Sequence, residues 1–315
     1  MMRMISIIFG VAAVAVLSAL ISQSPGNSVP NEKPAPNEST SSTQINAKCG
    51  NSAEGVQAGS IIADIEALTY GGYVVQKVNK KVRVPEYGPS SPVDVSYATI
   101  SRRGKVIAKF DAGVYFGLGN ATEIGFFSLL NNGKQLIISQ DVPKGGRQWV
   151  VDFAKGAKVI FDGQEFAVGR EAYDMTIADL DGDQIFEIIV PICEFYGFEK
   201  SRLTTSETPL PSIVFKFDAA QQKYLPANVL FKNCLLKDIE AAERKLQSAN
   251  EHEELLGDLM SVVLDYVFAG EEQRGWKFFE ETCKLPDKAK IRSDMQDALK
   301  DHPVYRYIYN KRANR

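Results

Sequence analysis

The stretch Met175-Thr176-Ile177-Ala178-Asp179-Leu180-Asp181-Gly182-Asp183-Gln184-Ile185-Phe186-Glu187-Ile188-Ile189-Val190 reads as strand, acidic loop, strand. The β-branched and apolar residues at its two ends have the composition of buried or half-buried strands. Between them, carboxylates stand at the first, third, fifth and ninth loop positions, Asp179, Asp181, Asp183 and Glu187, with Gly182 at the bend. Alternating side chains on a chain that curls at a glycine converge on one point, where their like charges repel unless a cation joins them. Calcium suits such a set, because it takes about six to eight oxygen ligands at about 2.3–2.6 Å. Ile185, at the seventh position, is expected to add its backbone carbonyl. An EF-hand is disfavoured, since the glycine comes too early and the closing carboxylate too soon for that loop.

Outward from this stretch the same texture continues. Short β-branched and aromatic runs recur at Tyr73–Val75, Val93–Ile100, Val106–Phe110, Ile124–Leu130, Leu136–Ser139, Trp149–Phe153, Val159–Phe161 and Ser212–Phe217. Turn residues punctuate them at Gly71-Gly72, Asn131-Asn132-Gly133, Lys144-Gly145-Gly146, Asp162-Gly163 and Asp181-Gly182. From about residue 232 the period changes. Leu235, Ile239, Ala242 and Leu246, then Leu255, Leu259, Val262, Val263, Tyr266 and Val267, then Trp276, Phe279 and Cys283, and finally Ile291, Met295, Ala298 and Leu299 recur at helical spacing. The expected fold class is therefore α+β: a β-rich domain over 51–231, propeller-like or a sandwich, followed by a small helical domain over 232–315 that packs on it as an appendage.

The acidic run with its flanking strands resembles the calcium loops of FG-GAP or VCBS-type repeats, found in integrin-like β-propellers. The resemblance is local, covering residues 175–190. The family's acids at the first, third, fifth and ninth positions fall on Asp179, Asp181, Asp183 and Glu187; Gln184 stands where the family often has glycine, and Glu187 where aspartate is common. A fainter echo, stripped of its acids, lies at Phe126–Ile138, and Ser212–Tyr224 resembles the strand pair that closes such a unit. The resemblance implies structural calcium and an extracytoplasmic binding or scaffold role, with a protein or a glycan as partner.

The N-terminus supports that location. Arg3 precedes an apolar run from Ile5 to Ile21, so residues 1–22 read as a signal peptide or an N-terminal membrane anchor, with the rest of the chain outside the cytoplasm, whether periplasmic, secreted or anchored facing outward. Membrane contact is expected only through this segment, if it is not cleaved. Residues 23–50, rich in Ser, Pro, Asn and Thr, bury too little apolar surface to offset their ordering entropy and read as a linker. Four cysteines, Cys49, Cys193, Cys234 and Cys283, lie beyond the apolar run, where disulfides form. Of the possible pairings, Cys49 with Cys193 and Cys234 with Cys283 would tie each segment to its own domain.

A formal charge of −3 over 315 residues gives no field for nucleic acid, which is excluded as an expected partner. The two histidines, His252 and His302, have no nearby nucleophile or metal-ligand partner in sequence, so no triad or zinc scheme can be assembled from them. A secreted hydrolase that uses carboxylates, such as a glycosidase, is the alternative function, although no catalytic pair can be nominated for it. Two further polar clusters are Lys144–Arg147 with Asp152, and Gly169-Arg170-Glu171 with Asp174.

Overall fold

A computed structural model describes residues 55–83, 92–113, 119–141, 146–168, 175–192, 195, 209–247 and 255–313. The N-terminal apolar segment, the linker, Cys49, Cys193, His252 and the Arg170 cluster lie outside the described residues. The fold is α+β, with three antiparallel sheets followed by helices. The first sheet runs in the order β2 (Ala67–Tyr70), β3 (Tyr73–Val82), β4 (Val93–Arg102) and β5 (Lys105–Phe110). The second has β6 (Ala121–Leu130), β7 (Gly133–Asp141), β8 (Arg147–Asp152) and β9 (Lys158–Asp162). In the third, β1 (Val56–Gln57) lies outside β10 (Thr176–Ala178), followed by β11 (Glu187–Pro191), β12 (Ser212–Asp218) and β13 (Lys223–Pro226). Among the described residues each sheet is a meander of consecutive strands, and β1 is the one strand that pairs out of chain order.

The hairpin turns sit where residues tolerate a left-handed backbone. Gly71 and Gly72, between β2 and β3, have φ of 56° and 78°. Arg103 and Gly104, between β4 and β5, have φ of 53° and 75°, a turn that no glycine pair or Asn-Gly marks in the sequence.

The second sheet forms the middle layer, and alternation along its strands shows why. Leu136, Ile138, Trp149 and Val151 belong to one core with Tyr73, Val75, Ala98 and Ile100 of the first sheet. Ile137, Val150, Ile160 and Phe161 belong to another with Ile177, Ile188, Val190, Phe215 and Tyr224 of the third. Successive side chains on a strand point to opposite faces, so a sheet covered on both sides reads as an unbroken apolar run, as Leu136-Ile137-Ile138 and Trp149-Val150-Val151 do. Phe110 meets Trp149 edge-on at 5.5 Å across the first interface, and Phe161 meets Phe215 at 5.1 Å across the second.

Two buried glutamine amides hold polar groups within the stack. Gln140, fully buried, accepts from the Ala112 N–H and donates to the Ser96 carbonyl and to Thr122 Oγ1, joining the first two sheets. Gln135 accepts from the Leu129 and Leu130 N–H groups at 2.8 and 3.0 Å and donates to Asn132 and Asp152, closing the β6–β7 turn. A buried amide with its donors and acceptors paired costs little and fixes one register.

Among the described residues five helices follow: α1 (Lys232–Gln247), α2 (Leu256–Phe268), α3 (Glu272–Thr282), α4 (Lys288–Asp301) and α5 (Pro303–Ala313). Among the described residues no helix is long and apolar enough to cross a membrane. Their apolar faces do not form a separate core. Met260, Val263, Val267, Phe279, Ile291 and Met295 join the same continuous cluster as the third sheet, and α5 packs against β13. Gly275 lets α3 approach α2 closely: a Cβ there would stand 2.9 Å from the Val263 carbonyl oxygen and 3.0 Å from Tyr266 Cβ.

Gly275→Ala tests this packing against helix propensity. Alanine in place of a mid-helix glycine ordinarily gains about 1 kcal/mol, whereas overpacking costs about 1–3 kcal/mol. Urea denaturation is expected to show a net loss of stability; a gain would mean that α2 and α3 are not in contact at Gly275.

Candidate functional site

The acidic loop spans β10 and β11. The pairing of Ala178 with Glu187 closes it at its base, so the turn carries Asp179, Asp181 and Asp183 on one side of that closure and Glu187 at its foot. Asp179 acts on the loop's own backbone: its two carboxylate oxygens accept from the Gly182 N–H at 2.8 Å and the Gln184 N–H at 3.1 Å. Asp183 accepts from the Ile185 N–H at 2.8 Å, and Glu187, with no exposed surface, accepts from the Leu180 N–H at 2.8 Å. Asp179, Asp181 and Glu187 bring carboxylate oxygens within 4.8 Å of one another. Ile185 contributes its N–H to Asp183, while its side chain packs on the core.

The group at the centre of the cluster is Lys216 of β12. Its Nζ donates to Asp181 Oδ2 at 2.9 Å, Asp183 Oδ2 at 2.8 Å and Glu187 Oε1 at 2.8 Å. An ammonium has three donors, and all three are used. Strand register delivers it: β11 pairs with β12 through Ile188 and Phe215, which brings the next residue of β12 level with Glu187. Burial alone would lower the Lys216 pKa, but its hydrogen bonds to Asp183, Glu187 and Asp181 outweigh that and hold it above the ordinary lysine value. Burial likewise pushes up the Asp183 carboxyl, yet Lys216 and the Ile185 N–H bring it below the usual range. For Glu187, burial wins over Lys216 and the Leu180 N–H, and its pKa is raised. The two carboxylates differ because Glu187 is wholly enclosed, whereas Asp183 faces solvent.

The loop also ties the third sheet to the second. The Phe186 N–H donates to the Leu129 carbonyl at 2.9 Å, the Phe127 and Phe186 rings meet edge-on at 5.3 Å, and Tyr224 donates its hydroxyl to the Phe186 carbonyl at 2.9 Å. A cavity of about 380 Å3 separates Asp179 and Gln184 from Asn131 and Gly133, placing the acidic loop beside the acid-free turn that echoes it.

Two loop residues, Gln184 and Glu187, have distinct structural settings. Gln184 has φ of 63°, the left-handed region in which glycine is free of strain. Glu187 reaches further than aspartate, from a buried strand position to both Leu180 and Lys216. No family model, curated protein or solved structure matches this chain, so the resemblance rests on the loop alone.

Other sequence-predicted groups take different places. Cys234 is disulfide-bonded whereas Cys283 is a free, buried thiol, so the pair Cys234–Cys283 does not form. The reason is orientation: Cys283, at the end of α3, points into the apolar core, and burial pushes its pKa up. Arg147 does not pair with Asp152, which instead holds Gln135 and the Ala154 N–H. His302 lies in the core, where burial lowers its pKa to about 4, and its Nδ1 accepts from the Val304 N–H at 3.3 Å at the start of α5.

Two substitutions test this geometry. Lys216→Met removes the ammonium and leaves the enclosed Glu187 with an unmatched charge, and urea denaturation in chelator is expected to show a loss of about 2–4 kcal/mol; a loss below about 0.5 kcal/mol would be the value of an exposed pair and would contradict the arrangement. Gln184→Gly relieves a left-handed non-glycine residue and is expected to raise stability by about 0.5–1 kcal/mol; a decrease would mean that the Gln184 side chain holds the loop.

Proposed function

We propose that this chain is exported and acts outside the cytoplasm as a non-catalytic binding or scaffold protein, with a β-rich part held rigid by the acidic loop. The observation that carries this reading is the commitment of the loop carboxylates: Asp179 to two N–H groups, Asp183 and Glu187 each to one N–H and to Lys216. Carboxylates held this way orient backbone and join strands. A general acid or a nucleophile needs an oxygen able to reach substrate, and the enclosed Glu187 faces its own loop. Export is supported by Arg3 and the apolar run Ile5–Ile21.

Calcium enters this reading as a structural ion that exchanges with Lys216. A divalent cation among Asp179, Asp181, Asp183 and Glu187 balances more of their charge than one ammonium does, with the Ile185 carbonyl as its expected further ligand. The exchange frees a lysine that already borders open space: Lys216 lines a cavity of about 420 Å3 together with Phe217 and Tyr307. Because each calcium must displace a bonded ammonium, the affinity falls in the weak range of extracellular modules, about 10⁻⁴–10⁻³ M.

Calorimetric titration of the full chain with calcium is expected to give one ion per chain in that range, and a tighter site in Lys216→Met. Absence of binding in both proteins would remove calcium from this reading.

A further inference from the structure

The three sheets also converge away from the acidic loop, around a cavity of about 410 Å3 bordered by β5, β8, β9 and β13. That volume lies within the range of about 300–1,000 Å3 usual for small-molecule sites. Its walls carry both signs of charge. Lys109 pairs with Asp111 at 2.7 Å, and Lys223 pairs with Glu165 at 2.5 Å. Two of its charged groups stand outside these pairs. Arg147 has no carboxylate within ion-pair distance among the described residues; its guanidinium lies 5.9 Å from the centre of the Trp149 ring, which forms the floor beside Phe110. Asp162 accepts from the Gln164 N–H at 3.0 Å through Oδ1, and among the described residues no cation stands against it.

We propose that this cleft binds a sugar unit bearing a carboxylate, of the uronic-acid type, as one residue of an acidic glycan. An unpaired guanidinium presents a planar fork of N–H donors matched to a carboxylate. Trp149 beneath it restricts the fork's orientation through the cation–π contact. Carboxylates around the same cavity, Asp162 first, accept hydrogen bonds from hydroxyls, and the lysine ammoniums donate to hydroxyl or ring oxygens. A sugar without a carboxylate leaves Arg147 unmatched. A doubly charged phosphate group meets Asp111, Asp162 and Glu165 in the same space and is repelled. The ligand that satisfies both sets of groups carries one negative charge and several hydroxyls. This assignment deepens the binding role proposed above but makes no use of the acidic loop, so the two can fail separately.

The test is calorimetric titration of the full chain with digalacturonate, with digalactose, acetate and galactose 6-sulfate as comparisons. Digalacturonate is expected to bind at least about tenfold more tightly than digalactose or acetate, and Arg147→Lys and Arg147→Gln are expected to weaken it by about tenfold or more. Melting curves of each variant establish that it is folded. If Arg147→Gln does not fold, Asp162→Asn, which keeps an oxygen for the Gln164 N–H, is expected to weaken digalacturonate several-fold while leaving acetate unchanged. No digalacturonate binding, equal binding of acetate or of the sulfated sugar, or unchanged binding in the folded variants would each overturn the assignment.

Discussion

One ammonium held by three carboxylates organises the junction on which the third sheet depends. Lys216 reaches Asp181, Asp183 and Glu187 from the neighbouring strand, and it does so because β11 and β12 pair in a register that sets Lys216 beside Glu187. Without that charge, four acids in nine residues would repel one another at the edge of a buried sheet. With it, Glu187 can be enclosed, Leu180 and Ile185 can donate their N–H groups to carboxylates, and Phe186 can carry the loop onto the second sheet through Leu129. The loop thus links β10, β11, β12 and β6.

The same device recurs in neutral form elsewhere. Gln135 and Gln140 join hairpin to hairpin and sheet to sheet in the middle of the stack, and Asn228 holds the end of β13 to β12 by accepting from the Val214 N–H and donating to the Ser212 carbonyl. Apolar layers supply most of the driving force for burial but little directional information. These polar groups define one register among the several that Ile- and Val-rich strands could adopt. The helices are bound by the first kind of force: their core is continuous with that of the third sheet, so they stabilise it from its outer side and do not form a separate unit.

Most of the strands were legible because their signal is local. Short β-branched and aromatic runs bounded by Gly, Asn and Asp mark β3 to β12, and helical periodicity marks α1 to α4. The edge strands β1 and β2 were not legible, since the two residues of β1 and the half-exposed Ala67–Tyr70 carry no pattern that stands above their surroundings. The Arg103-Gly104 turn was missed for lack of a strong turn pair. At the site, all four acids could be read from their spacing, but their resident cation could not. Lys216 lies 29 residues beyond Glu187 in the chain, and the one trace of it was a single lysine inside the apolar strand Ile213-Val214-Phe215-Lys216-Phe217. Assigning each disulfide to its own domain also pairs Cys234 with the wrong thiol, because Cys283, just beyond the end of α3, is buried in the apolar core.

The claim that Lys216 is the loop's resident cation is tested most directly by amide hydrogen exchange of Gly182, Gln184 and Ile185 in the presence of chelator. Slow exchange of these three amides is expected in calcium-free protein and fast exchange in Lys216→Met. Fast exchange in the calcium-free wild type, slowed only when calcium is added, would contradict it and make the metal, in place of the lysine, the group that holds the loop.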